Sequence, residues 1–122
     1  AKTVLIAKSL NNIGREYRLL KNYPEAGKWL REALAMKKIV SPGNHLETAG
    51  TLYSLGLNYR DQGDLNKAKE YLQKAHNMLK TCEGNEDLKA MVLNNLGLTN
   101  HDQGNLNKAK DFHKQAYDMI MT

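Results

Sequence analysis

Cysteine and proline are scarce in this chain, which has one cysteine, Cys82, and two prolines among 122 residues. Because a single cysteine cannot form an internal disulfide, a disulfide-stabilised secreted domain is excluded, and a reducing, cytoplasmic environment is expected. The low proline content favours long, uninterrupted helices. No apolar run approaches the roughly 20 residues that a membrane-spanning helix needs, so no membrane segment is predicted.

Motifs for catalysis and for metal binding are also missing. No two of the four histidines are separated by the three or four residues that place two imidazoles on one metal ion. Cys82 is followed by Glu83, and an acidic neighbour disfavours a reactive thiolate. The sequence contains no glycine-rich phosphate loop and no GxSxG motif. It therefore predicts no metal site, no cofactor and no enzymatic activity.

What the sequence does contain is an internal repeat. Residues 52–79 recur 41 positions later as residues 93–120, with 14 of 28 positions identical. Residues 10–37 match residues 52–79 at 8 of 28 positions, with an offset of 42. A period of this length indicates stacked supersecondary units rather than one globular core.

Apolar residues within each copy recur with the 3.6-residue period of an α-helix. In the second copy, one apolar stripe ends at residues 61–64 and another follows. Gly63 and Gly104 are expected to end helices in the left-handed conformation, with Asp64 and Asn105 as the N-caps of the next helices. The pattern predicts six helices, at residues 3–21, 24–39, 45–62, 65–80, 87–103 and 106–121.

Small residues recur at fixed positions inside each helix pair. One position is always glycine, and two later positions are always alanine. This ladder resembles the signature of the tetratricopeptide repeat (TPR), in which small residues let two helix backbones approach closely while leucine and tyrosine fill the gaps. The matching positions are Leu10, Gly14, Tyr17, Ala26, Ala33, Leu52, Gly56, Tyr59, Ala68, Ala75, Leu93, Gly97, Ala109 and Ala116. The resemblance implies an all-α fold, an α-solenoid of three antiparallel helix pairs that forms a TPR superhelix.

The repeat spacing of 41 or 42 residues exceeds the 34 residues of the common form. This spacing, the sequences LNNIG and LNNLG, and the joint PGNH resemble the kinesin-light-chain-like subclass of the family. The second copy departs from that pattern, because it reads LYSLG, and the joint after Lys80 lacks the histidine. We expect a single array over residues 1–122, with repeats at about 3–44, 45–86 and 87–122.

The third copy differs from the others at two signature positions and at its end. Asn100 replaces a tyrosine and His113 replaces a leucine. His113 is interpreted either as a ligand or switch, or, as we favour, as relaxed packing in an atypical terminal repeat. The apolar residues 119–121 indicate that the chain is a piece of a longer repeat protein, or that another copy covers this end.

The net charge of +5 raises the question of a nucleic-acid partner. The second helices of the three pairs hold eleven cations, including Lys37, against five acids. In tetratricopeptide arrays these helices line the convex face, so the resemblance implies a solvated surface. Nucleic-acid binding requires a continuous basic strip with stacking aromatic side chains, and the tyrosines here are assigned to packing. No nucleic-acid or membrane partner is predicted.

The resemblance also implies a concave groove lined by the first helix of each pair. Asparagine amides both donate and accept, so the doublets at residues 11–12 and 94–95 could pair with the backbone of an extended peptide. Leucines there would receive apolar side chains, and arginines would select acidic ones. Alternatively, the asparagines are simply exposed polar positions. The residues expected to face the groove are Lys8, Asn11, Asn12, Arg15, Arg18, Tyr53, Ser54, Leu57, Arg60, Met91, Asn94, Asn95, Leu98 and His101.

Two functions are compatible with these features. The first is a noncatalytic, cytoplasmic scaffold or adaptor that binds an extended protein segment, acidic and partly apolar, in its concave groove. The alternative is a self-assembly or sensor module of a larger signalling protein, in which repeats associate through the C-terminal helix at the open end. Neither function involves a cofactor.

Overall fold

A computed structural model of the protein describes residues 2–40, 43 and 45–122. It consists of six helices: α1 (Lys2–Leu19), α2 (Tyr23–Val40), α3 (His45–Gln62), α4 (Leu65–Leu79), α5 (Glu86–Asp102) and α6 (Leu106–Met121). Every helix begins and ends within two residues of the predicted position. The residues that the structure describes form no strand, and the all-α prediction is confirmed.

The helices form three pairs, α1 with α2, α3 with α4, and α5 with α6. Neighbouring pairs stack because α2 packs on α3 and α4 packs on α5. The first helices also touch one another, α1 on α3 and α3 on α5, whereas the second helices of neighbouring pairs share no such contact within the described residues. The array therefore curves with its first helices on the inner side, as the solenoid prediction requires.

Glycine at the signature position allows the two helices of each pair to approach closely. A Cβ atom placed on Gly14 would lie 2.6 Å from Cγ of Leu30, and one on Gly97 would lie 2.6 Å from Cε1 of His113. A Cβ atom would clash with Leu30 at the first position and would have to displace the His113 ring at the second, so both close approaches depend on glycine. The signature alanines are also buried, at Ala26, Ala33, Ala68, Ala75, Ala109 and Ala116. The small residues of this ladder thus lie where the two helices of a pair meet.

Burial is greatest in the middle of the array. The main apolar cluster joins α3, α4 and α5 through buried residues such as Leu52, Leu79 and Leu96. Outer helices bury much less, because each has a neighbour on one side only. Ala7 and Gly14 are the buried residues of α1, and those of α6 are two alanines.

The turns inside the three pairs share one geometry. Gly63 and Gly104 have positive φ angles of 88° and 84°, and Lys21 occupies the equivalent position of the first pair with φ 64°. Because Lys21 is left-handed, α1 ends two residues earlier than predicted. The side chain of Asp64 caps α4 as predicted, by accepting a hydrogen bond from the Lys67 backbone N–H at 3.2 Å.

The prediction for Asn105 is only half right. Asn105 occupies the N-cap position of α6, but its side chain makes no capping hydrogen bond. Its Nδ2 instead donates to Oδ1 of Asn100 at 3.5 Å. This contact exists because Asn100, at a position where the first two repeats have tyrosine, offers an amide oxygen to the turn.

Candidate functional site

The inner faces of α1, α3 and α5 enclose an open groove of about 450 Å³. This concave groove combines charged, amide, aromatic and aliphatic side chains. Its lining residues are Asn11, Arg15, Arg18, Lys37, Glu47, Gly50, Tyr53, Ser54, Leu57 and Met91. Seven of the residues expected from the sequence therefore lie together: Asn11, Arg15, Arg18, Tyr53, Ser54, Leu57 and Met91.

A hydrogen-bonded chain of side chains crosses one side of the groove. Lys37 Nζ donates to Thr51 Oγ1 at 2.8 Å and to the Glu47 carbonyl at 3.4 Å. Thr51 Oγ1 in turn donates to Asn11 Oδ1 at 3.1 Å. Burial lowers the pKa of Lys37, an effect that the neighbouring Glu47 carboxylate partly opposes. The chain links α2, α3 and α1 and fixes a cation behind the groove.

The position of Lys37 corrects the sequence analysis, which counted it among the solvated cations of the convex face. Its side chain is only 6% exposed. Lys37 is equivalent to Leu79 and Ile120 in the later repeats, a position where a second helix turns toward the next pair. The aliphatic part of lysine crosses the interface between α2 and α3 and brings Nζ to the groove. The sequence did contain a signal for this burial, because Lys37 occupies a position where the other repeats have leucine or isoleucine.

Two ion pairs connect successive repeats along the inner face. Arg18 Nη1 lies 3.0 Å from Asp61 Oδ2, and Arg60 Nη2 lies 3.5 Å from Asp102 Oδ2. Arg18 and Arg60 are equivalent positions, as are Asp61 and Asp102, so the pairs form a ladder. These two arginines were expected to select acidic ligands, but in the structure their charges are already paired.

Arg15 differs from the two ladder arginines. It is exposed and lines the groove, and it has no hydrogen bond or ion pair to any residue that the structure describes. Lys8, another expected residue, lies at the rim, with its Nζ 3.9 Å from Glu47 Oε1. Arg15 is therefore the groove cation best placed to meet a ligand.

Tyr53 and Asn95 form a polar contact between α3 and α5. Asn95 Nδ2 donates to Tyr53 Oη at 3.2 Å and to the Met91 carbonyl at 2.9 Å. Burial raises the pKa of Tyr53, although the charge of Arg18 and the Asn95 hydrogen bond oppose the shift. The phenol is thus neutral at physiological pH. Ser54 uses its hydroxyl internally, by donating to the Gly50 carbonyl at 3.1 Å.

The remaining predicted residues lie apart from the groove lining. Asn94 faces α6, with its Oδ1 3.0 Å from His113 Nδ1. Leu98 and His101 are exposed on α5, and His101 Nδ1 lies 3.8 Å from Asp102. His113 itself packs against Gly97, which agrees with the packing interpretation rather than with a free ligand.

The structure places Asn12 outside the groove, contrary to expectation. It lies on the outer face of α1, in a shallow depression of about 350 Å³ that it shares with Ile13, Glu16, Tyr17 and Leu20. Its equivalent in the second repeat, Ser54, does line the groove, and the difference is that α1 contacts only α2 and α3, so no described helix forms a groove wall on the side of Asn12. The doublet at residues 11–12 therefore contributes one asparagine to the groove.

A larger depression, of about 540 Å³, lies between α2, α3 and α4. Its apolar floor includes Leu34, Tyr71 and Met78. Lys74 at its edge already pairs with Glu70 at 3.4 Å and lies 5.1 Å from the centre of the Tyr71 ring. We assign the candidate site to the concave groove instead, because the groove is lined by residues of all three repeats, whereas the larger depression is lined by residues of the first two.

The described part of the chain contains neither a membrane-spanning helix nor a cluster of metal ligands. None of its helices has the length and apolar character needed to cross a membrane. No three His, Cys, Asp or Glu side chains within residues 2–40, 43 and 45–122 lie close enough to share a metal ion.

Comparison with known proteins identifies the family. The sequence matches the family model described as tetratricopeptide repeat over residues 5–81 and again over residues 47–121. A comparison with curated proteins finds no match. The two overlapping family matches together span almost the whole chain.

Several solved structures share the fold at low sequence identity. BtubC (BKLC) from P. vanneervenii is similar with a TM-score of 0.88 and 19% identity, over 94% of this chain and 46% of that one. The TPR domain of Arabidopsis FLU gives 0.83 and 16%, over 98% of both chains. A kinesin light chain candidate from Podosopora anserina, which has nearly identical TPR-like repeats, gives 0.83 and 15%, over 100% of this chain and 57% of that one.

This chain thus spans about half the length of BtubC and of the fungal protein, and nearly all of the FLU domain. These similarities show the fold, which is shared with kinesin-light-chain-like repeats. The tetratricopeptide fold is, in general, a scaffold for protein–protein interaction. The helix pairs, the glycine and alanine ladder and the family match lead to one conclusion: the chain belongs to the tetratricopeptide repeat family.

Proposed function

We propose that the concave groove binds an extended segment of a partner protein, acidic and partly apolar, and that the chain acts as a noncatalytic scaffold. The observation that carries this proposal is the unpaired Arg15 in a groove that also exposes Leu57 and Met91. A cation beside aliphatic side chains matches a ligand that alternates acidic and apolar residues. Arginine can bind a carboxylate through two parallel hydrogen bonds.

The charges nearest the centre of the groove support an acidic ligand. Among the groove-lining residues, the ladder pairs and Lys8, positive charges outnumber negative ones, while Glu86 and Asp87 lie beyond Met91 at one end. The cations are Lys8, Arg15, Arg18, Lys37 and Arg60, and the acids are Glu47, Asp61 and Asp102. Lys37 is largely removed from solvent, so salt screens its field less than that of an exposed lysine.

Asn11, which lines the groove, and Asn95, which is hydrogen-bonded to the lining residue Tyr53, are suited to hold a peptide backbone. Asn11 uses its Oδ1 to accept from Thr51, which leaves its Nδ2 without a partner among the described residues. Asn95 uses its Nδ2 twice, which leaves its Oδ1 as an acceptor. One side chain thus offers a donor and the other an acceptor, and these are the groups that an extended peptide main chain needs.

The proposal can be tested with synthetic ten-residue peptides that alternate glutamate and leucine, each paired with an analogue that has glutamine in place of glutamate. We expect the acidic peptides to bind more tightly in fluorescence anisotropy, and the variant R15E to weaken that binding about tenfold or more. The matched control is K28E, which makes the same charge change at an exposed position of α2. K28E should change the affinity by about twofold at most.

Two outcomes would contradict the proposal. Equal losses in the R15E and K28E variants would show that only the total charge matters. Equal binding of the acidic peptides and their glutamine analogues would show that the groove does not select acids.

A further inference from the structure

The outer face of α1 exposes positions that the other repeats bury. Ile13 is 37% exposed, whereas the equivalent Leu55 and Leu96 are both 0% exposed. Glu16 is exposed, and its equivalents, Asn58 and Thr99, are buried. Ile6 and Leu20, one heptad before and one after Ile13, are exposed on the same side of α1. This face has the composition of an inter-repeat interface, but no helix among the described residues packs on it.

The outer face of α6 has the complementary character. Ile120 is 60% exposed, whereas the equivalent Leu79 of α4 is 1% exposed and belongs to the main apolar cluster with Val92 and Leu96 of α5. Tyr117, three residues before Ile120, is exposed on the same side of α6, whereas its equivalent in α4, His76, is half-buried. In the interior of the array, this side of a second helix packs on the first helix of the following repeat.

The two open faces are thus the two halves of the interface that already joins α2 to α3 and α4 to α5. We propose that α6 of one copy packs on α1 of a second copy of this chain, so that copies associate head to tail. This inference stands apart from the groove proposal, since neither face includes Arg15. It also differs from association through α6 alone, because two unlike surfaces meet.

Charge complementarity favours this pairing. At the internal junction of α2 and α3, Asn58 Nδ2 donates to the Tyr23 carbonyl at 3.1 Å and lies against Gly27. The equivalents of Asn58 and Gly27 at the proposed junction are Glu16 and Lys110. Stacking in the internal register would therefore place a carboxylate opposite an ammonium, near the positive N-terminal end of α6.

The same register would extend the groove across copies. Asn95 reaches back to Tyr53 of the preceding repeat. Asn12 is the equivalent of Asn95, and it would reach Asn94 of the neighbouring copy, which is the equivalent of Tyr53. The position of Asn12 outside the groove is then explained, because its inter-repeat neighbour is supplied by a second copy.

The proposed junction lacks one feature of the internal ones. In the arginine–aspartate ladder, His101 is equivalent to Arg60 and Leu19 is equivalent to Asp61. The proposed junction would therefore place His101 opposite Leu19 of the neighbouring copy, and no ion pair of this kind can form there. The junction should therefore be weaker than the internal interfaces and reversible. Because the two surfaces are unlike, every assembly keeps one open α1 face and one open α6 face, to which further copies can bind. The average mass should therefore rise with concentration rather than stop at a dimer.

Sedimentation velocity of the full chain, from micromolar to near-millimolar concentration, tests the inference. We expect the average mass of the native protein to grow continuously. The variants I13E and I120E each block one face at an exposed position, and each should remain monomeric with an unchanged circular dichroism spectrum. Mixing the two variants should produce heterodimers and nothing larger, because each contributes one intact face. R15E should still associate like the native chain.

Three results would overturn the inference. A native chain that stays monomeric over the whole range would show that the faces do not pair. Dimerisation of I13E by itself would indicate an association through α6 alone. A charge exchange gives the third test: E16K should weaken association about two- to fivefold, and adding K110E to the same chain should restore it. Failure of the second change to restore association would exclude the proposed register.

Discussion

Replacing Lys37 with leucine should stabilise the protein while weakening the site. The change removes a buried ammonium group and introduces the residue found at the equivalent position, Leu79, which is fully packed. Replacing a buried charged group and its partners by apolar side chains is often stabilising by about 1–4 kcal/mol, because the desolvation cost is removed. The two hydrogen bonds to Thr51 and to the Glu47 carbonyl are lost, at about 0.5–1 kcal/mol each, because neither partner is left unsatisfied: Thr51 Oγ1 still donates to Asn11 Oδ1 and to the Glu47 carbonyl. We expect a net gain of about 1 kcal/mol in the free energy of unfolding at pH 7.

The pH dependence of the stability difference between K37L and the native chain gives a second, independent test of this prediction. Burial lowers the pKa of Lys37 in the folded chain below the ordinary lysine value of 10.5. Between the lowered pKa and 10.5 the unfolded chain holds more protons than the folded one, so this residue makes the native protein more stable as the pH rises. The leucine variant lacks that contribution. Its advantage over the native chain should therefore be largest near pH 7 and shrink by pH 10.

Urea denaturation at pH 7 and at pH 10 measures both effects. The matched control is K38L, which changes the exposed neighbouring lysine and should alter stability by less than about 0.5 kcal/mol. A K37L variant that is less stable than the native chain at pH 7 by more than about 1 kcal/mol would refute the reasoning. An advantage that grows between pH 7 and pH 10 would also refute it. In the peptide assay K37L should bind more weakly than K38L.

Two backbone predictions concern other positions. Lys21 holds the left-handed conformation that Gly63 holds in the next repeat. K21G should therefore raise the free energy of unfolding by about 1 kcal/mol in a thermal or urea melt. A lower free energy of unfolding in K21G would show that the turn geometry is wrong. A Cβ atom on Gly56 would lie 2.7 Å from Cγ of Leu72, whereas one on Gly50 of the same helix meets nothing within 4 Å. G56A should therefore destabilise by about 1–3 kcal/mol while G50A stabilises by up to about 1 kcal/mol, and equal effects would contradict the packing account.

Much of the fold follows from the sequence because the local signals agree with one another. The 3.6-residue period gave all six helices, and the small residues at positions such as Gly14 and Gly97 indicated which helices pair. Each signal depends on short-range geometry that neighbouring residues encode directly. The largest error, at the end of α1, arose because Lys21 adopts a conformation that glycine usually signals.

The site was less predictable because it depends on contacts between repeats. Asn12 lies outside the groove although its equivalent Ser54 lines it, because the place of this position depends on a helix on the other side of α1, which the described residues do not supply. The ladder pairs were also visible in principle, since arginine and aspartate recur at fixed positions of successive repeats. The role of Lys37 required the packing of α2 on α3, because only that contact shows where a long side chain ends.

The central claim is that the concave groove, rather than the convex side of the array, holds the ligand. A titration of the isotopically labelled chain with the acidic and apolar peptide, followed by two-dimensional NMR, tests it most directly. We predict that the side-chain amide signals of Asn11 and Asn95 and the backbone signals around Tyr53 and Leu57 shift as the peptide is added. Shifts confined to residues 67–74 of α4, with the groove signals unmoved, would contradict the account.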